Sequence, residues 1–245
     1  MSRIDIAKEF KVVVRKIGGM VLDDGPRAPN SPEIADYWFP AFDCIAELKL
    51  LSKDLREKED FRGRLRLLHE KWVREGRVPS SRERIVRIRT GELPESCARE
   101  FVELIKSRLE SSTIRKANKQ IKATRSLLGR PDAAGLLLLA NDGNLILKPD
   151  AMAHLLARIL KGKHRSISSV VYFSANQRVR MPGMAVTPLF WIDGVLKERR
   201  PAPKALRERL QEAWFAHHST LVEGPVIEFR GNADPNVFEQ IDFEQ

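Results

Sequence analysis

Apolar residues recur at helical spacing from the start of the chain. Ile6, Phe10, Val13 and Ile17 fall on one face and Gly18-Gly19 ends the pattern, which predicts a helix over 2–17. Met20-Val21-Leu22 reads as a short strand, followed by a loop over 23–32 that carries Gly and Pro. Two strand-like runs, 34–39 and 44–51, are separated only by Pro40-Ala41-Phe42-Asp43, which predicts a hairpin. From 52 to about 93 charges of both signs crowd a helical segment over 55–75, with Phe61, Leu65, Leu68 and Trp72 as its apolar stripe. This segment reads as a helical insertion or a small helical subdomain.

Pro94-Glu95-Ser96 opens a further helix bearing Phe101, Leu104 and Ile105, and another covers 112–128 up to Gly129-Arg130-Pro131. Gly135-Leu136-Leu137-Leu138-Leu139-Ala140 is a continuous apolar run bounded by turn residues, as in a strand buried on both faces. After the turn at Asn141-Asp142-Gly143-Asn144 come a helix over 149–160, strands over 168–173 and 188–192, and a helix over 203–216. The segment after Gly224 alternates weakly and ends in acids, so 225–245 is expected to be a partly mobile tail. The expected organisation is one α/β domain: a core of 1–51 and 94–224 with the insertion 52–93.

Composition narrows the function classes. The 245 residues are 42% hydrophobic and 31% charged, enough apolar content for a core and too much for a wholly disordered chain. No run approaches the roughly 20 apolar residues of a membrane span, and the first residues lack a secretory apolar region. Cys44 and Cys97 are too few for a disulfide framework, and buried free thiols point to the cytoplasm. The 43 Lys and Arg outnumber 33 Asp and Glu, a formal charge of +10 that suits a polyanionic partner. Phosphate-binding glycine loops, a Gly-x-Ser-x-Gly elbow and metal-ligand spacing of the five histidines are all absent.

The chemistry concentrates at the predicted hairpin. With Ala41-Phe42 as a two-residue turn, antiparallel pairing sets Asp36 opposite Glu47, with Cβ atoms about 5 Å apart. Glu47 and Lys49 are two apart on one strand and share its face. Opposed carboxylates destabilise a hairpin, and buried ones are costly unless paired or bound to metal. Mg²⁺, typically held by one or two carboxylates plus water and substrate phosphate, resolves both problems. A neighbouring lysine can orient water and stabilise the charge that grows during attack on a phosphodiester.

Asp36, the turn, and Glu47-Leu48-Lys49 at the end of an apolar strand resemble the signature of the PD-(D/E)xK nuclease superfamily. The resemblance covers the predicted helix 2–17, the strands near 20–23, 34–40 and 43–51, helix 112–128 and strand 135–140. It departs from the pattern at Ala35, where a proline is usual. It implies a restriction-endonuclease-like αβββαβ core, a mixed sheet flanked by helices, with extra C-terminal strands and a helix. It implies a Mg²⁺-dependent endodeoxyribonuclease, Mn²⁺ being an alternative metal, with a role in restriction or anti-phage defence. Asp36, Glu47 and Lys49 would be catalytic, with Asp36, Glu47 and Glu9 (or Asp5, one turn earlier) at the metal.

Helix 112–128 supplies further candidates. The resemblance gives Gln120 a role at the substrate, and Arg115, Lys119 and Lys122 form a basic stripe in a segment, 111–129, that contains no acid. DNA is the expected partner. Asp43 is the fallback first carboxylate if the register differs. The alternatives are a non-catalytic nucleic-acid-binding module on such a scaffold, or a protein-interaction domain docking a partner through the helical insertion. A homodimer is a further expectation.

Overall fold

The computed structural model describes residues 3–22, 32–52, 58–80, 93–144, 147, 149–161, 163–177, 179–181, 184–196 and 199–229. Among them an α/β architecture emerges, a mixed sheet with helices on both faces. Helix α1 (Ile6–Lys16) starts where the Asp5 side chain accepts from the Lys8 amide at 3.1 Å, satisfying one of the free donors of the first turn. It ends before Gly18, which adopts φ 81. Strands β1 (Met20–Val21), β2 (Tyr37–Phe39) and β3 (Cys44–Leu51) follow as an antiparallel meander.

The β2–β3 connection differs from the two-residue turn expected. Pro40–Phe42 form a 3₁₀ turn and Asp43 takes the left-handed conformation at φ 44. Proline opens this turn because its ring already holds the required φ. The pairing is nonetheless the expected one: Phe39 faces Cys44, Trp38 faces Ile45 and Tyr37 faces Ala46. Continuing it by one step sets Asp36 opposite Glu47.

Helices α2 (Glu59–Arg74), α3 (Glu95–Leu109) and α4 (Arg115–Leu127) come next; a π-helical turn over Glu110–Ile114 joins the last two. Phe61 and Trp72 place α2 in the same apolar cluster as Cys97 and Phe101 of α3. Strand β4 (Ala134–Asn141) then runs parallel to β3, and β5 (Ser169–Ser174) parallel to β4, with α5 (Pro149–Leu160) between them in sequence. All eight residues of β4 are buried, as a strand covered on both sides must be.

Strand β7 (Met184–Val195) is longer than the sequence pattern suggested, and β6 (Val179–Met181) pairs with it antiparallel. Helix α6 (Lys204–Leu221) follows. Within the segment expected to be a partly mobile tail, β8 (Val226–Phe229) pairs in parallel with β7, satisfying its backbone groups there. The rest of that tail lies outside the described residues. The strand order is β1-β2-β3-β4-β5-β7-β6, with β8 on β7.

Two apolar clusters sandwich this sheet. Ile45, Leu51, Leu137 and Leu139 face α2–α5, whereas Cys44, Ala46, Leu48, Leu136 and Leu138 face α1 and α6. Period-two alternation makes the assignment strict: odd-numbered side chains of β3 project toward α4 and even-numbered ones toward α1. Trp72, Trp214 and Trp191 all pack as core residues. Among the described residues no helix is long and apolar enough to cross a membrane.

Candidate active site

Glu47 and Lys49 are odd-numbered, so β3 turns both toward α4. Glu47 is fully buried, whereas Lys49 keeps 22% of its side chain exposed. The Lys49 Nζ lies 2.5 Å from Glu47 Oε1, and it donates to Gln120 Oε1 of α4 at 2.8 Å. Gln120 is held in turn, its Nε2 donating to the Ile34 carbonyl at 3.3 Å. One ammonium is thus shared between a strand and the helix that packs on it.

Asp36 completes the group from the start of β2. Its amide donates to Glu47 Oε2 at 3.1 Å, and its own Oδ2 accepts from the Leu48 amide at 2.8 Å. Burial first, and the Asp36 carboxylate second, push the Glu47 carboxyl up to about 8, against the pull of Lys49. With both acids ionised the cluster carries one negative charge more than Lys49 neutralises, and its donors are all oxygen. Such a set fits a hard divalent cation, which would offset the charge that burial makes costly. Among the described residues no group of three or more His, Cys, Asp or Glu gathers as a metal centre would.

The other expected residues lie elsewhere. Glu9 sits on α1, across the sheet from Glu47, and its Oε2 is 2.8 Å from Nε2 of His217 on α6. The sheet separates it from the cluster because α1 packs only on the side that Cys44, Ala46 and Leu48 face. Asp5 is engaged in capping α1. Asp43 lies at the hairpin's turn, paired with Arg200 at 2.8 Å. Arg115, Lys119 and Lys122 are exposed on α4 and pair with no carboxylate of the described residues, whereas Gln120 alone on this helix reaches the cluster.

Thr124 is a positioning residue absent from the sequence reading. Its Oγ1 accepts from the Ala35 amide at 2.6 Å and donates to the Gln120 carbonyl at 2.9 Å. It thereby ties the chain entering β2 to α4, one turn beyond Gln120. The signal was legible in principle: Gln120 and Thr124 are four apart, polar, and beside the apolar stripe of Ala117 and Ile121. No protein-family model, curated protein or solved structure matches this chain, and the reading of the cluster therefore rests on its own geometry.

Proposed function

We propose that this chain is a Mg²⁺-dependent nuclease acting on DNA phosphodiesters, with Mn²⁺ as an alternative ion, on a restriction-endonuclease-like scaffold. The observation that carries the proposal is the juxtaposition of Asp36, Glu47 and Lys49 on adjoining strands, with Gln120 holding the lysine. The order α1, antiparallel β1–β3, α4 and parallel β4 supports it. Asp36 and Glu47 would hold the metal. A bound divalent cation supplies Lewis-acid polarisation of a phosphoryl oxygen and a lowered pKa for a coordinated water.

The chain's own residues do the rest. Lys49 is held at one end by Gln120, so its ammonium has a fixed location from which to orient a water and stabilise charge on the phosphate. Glu47 must be ionised for this role, and burial resists that until positive charge is present. Asp36 is only partly buried and forms the accessible side of the cluster. A restriction or anti-phage role is the use this scaffold would serve.

The test is cleavage of linear, supercoiled and single-stranded DNA with Mg²⁺, Mn²⁺ or EDTA. Wild type is expected to cut only with metal, and Lys49→Ala to lose at least about 100-fold in rate while folding and binding DNA normally. No metal-dependent cut on any substrate would overturn the proposal. One observation favours a second reading, a non-catalytic nucleic-acid-binding module. Glu47 is wholly inaccessible, its Oε2 accepting from the Asp36 amide and its Oε1 lying beside the Lys49 ammonium, as in a purely structural polar cluster. That reading expects DNA binding indifferent to Asp36→Asn and Glu47→Gln.

A further inference from the structure

Helix α4 is amphipathic, and the outer side of its first two turns is cationic. Its apolar side buries Ile114, Ala117 and Ile121, and its first turn has no acid. Arg115, Lys116, Lys119 and Lys122 are all exposed, and none pairs with a carboxylate of the described residues. On a helical wheel Lys116 lies next to Gln120, and therefore beside the Asp36–Lys49 cluster, while Arg115 and Lys122 lie on the far edge.

That far edge meets a second basic element. The segment after α5 docks on α4 where the Ser166 amide donates to Asn118 Oδ1 at 2.9 Å and Arg125 donates to the Ser166 carbonyl at 3.1 Å. This segment presents Lys161 and Arg165 to solvent, again without a carboxylate partner among the described residues, whereas Lys163 is engaged with Glu110. Arg199 holds the segment in shape by donating to the carbonyls of Leu160, Lys163, His164 and Ile167. The cations are therefore mounted on a fixed frame.

From these observations we infer that α4, together with Lys161 and Arg165, forms one continuous interface for a DNA double helix. It grips the phosphates without reading sequence and leads the backbone toward Lys49. The inference rests on the nuclease reading for the direction of this path; the band of charge itself stands apart from it. Arg115 to Lys122 spans about 10 Å of helix, a length in which a duplex presents roughly six phosphate charges. Single-strand binders interleave cations with stacking aromatics, and no aromatic is among the large apolar side chains exposed in the described residues. A membrane surface would require an apolar side to insert, and that of α4 is buried against the sheet.

The experiment measures DNA binding by fluorescence anisotropy in EDTA, where cleavage is not in play, on a duplex, its single strand and a second duplex of unrelated sequence. Both duplexes are expected to bind within about two-fold of each other and at least about ten-fold tighter than the strand. The double variant Lys161→Gln/Arg165→Gln is expected to make the plot of log affinity against log salt shallower by about 2. Lys8→Gln/Lys16→Gln, on α1 across the sheet, should leave that slope unchanged. Tighter binding of the single strand, a slope unaffected by Lys161 and Arg165, or equal band-dependent capture by vesicles of three parts phosphatidylcholine to one part phosphatidylserine would each overturn the inference. Binding that behaves as expected in a protein that never cuts DNA would leave this interface standing and remove the nuclease reading alone.

Discussion

Asp36 and Glu47 are bound to each other's strands. The Asp36 amide donates to Glu47 Oε2 at 3.1 Å, and the Asp36 carboxylate accepts from the amide next to Glu47 at 2.8 Å. Two acids that repel through their charges are thus held in place by backbone donors. Neither can move away without leaving a polar group of β2 or β3 unsatisfied.

The metal-free protein should lose stability as pH rises. The folded state keeps Glu47 protonated up to about 8, whereas the unfolded chain releases that proton near 4.5. Between those values the folded state binds more protons, so its stability is complete at the acid end and declines toward the alkaline end. The loss is on the order of 4 kcal/mol across the window. Denaturant unfolding in EDTA from pH 5 to 8.5 measures it, and Glu47→Gln should flatten the profile.

Mg²⁺ should bind more tightly as pH rises, because it displaces the proton of Glu47. Isothermal titration at pH 6, 7 and 8 should show affinity climbing by up to about ten-fold per pH step, with proton release that fades toward pH 8. Asp36→Asn is expected to weaken binding at every pH. Affinity independent of pH would mean that Glu47 is not a ligand.

Glu9 should be dispensable for metal and cleavage. Its carboxylate is paired with His217 on the far side of the sheet. Glu9→Gln is expected to leave Mg²⁺ affinity and cutting rate within about two-fold of wild type and to cost less than about 1 kcal/mol. A loss of metal affinity like that of Asp36→Asn would show that α1 contributes to the site after all.

Gly135→Ala should be strongly destabilising. A Cβ there would lie 1.8 Å from the Ser166 carbonyl oxygen, which is backbone and cannot rotate aside. Separating β4 from the segment after α5 also disturbs the Ser168 hydroxyl, bonded to both the amide and the carbonyl of Gly135. The expected cost exceeds about 2 kcal/mol in urea unfolding. The anchoring of Lys161 and Arg165 would loosen with it, so duplex affinity should fall as well.

Local physics makes much of this molecule readable from its residues. The apolar runs of β3 and β4 appear at nearly the expected boundaries, because a strand covered on both faces needs uninterrupted apolar side chains. The pairing of β2 with β3 survives a misjudged turn, since four residues from Pro40 to Asp43 close the same register with a 3₁₀ turn as with a tighter one. Strands β6 and β8 escaped notice because they are short and find their partner, β7, only in three dimensions.

By itself the order of residues determined that Glu47 and Lys49 share a face and that a hairpin brings Asp36 opposite them, because strand periodicity and short connections are local. Tertiary structure alone decided which helix that face meets. Helical spacing makes Glu9 and Gln120 equally eligible to approach the acids, but α1 packs beneath the sheet and α4 above it, so only Gln120 arrives. The choice depends on which apolar stripe buries against which side of β3 and β4, a property of the assembled core that no single segment encodes.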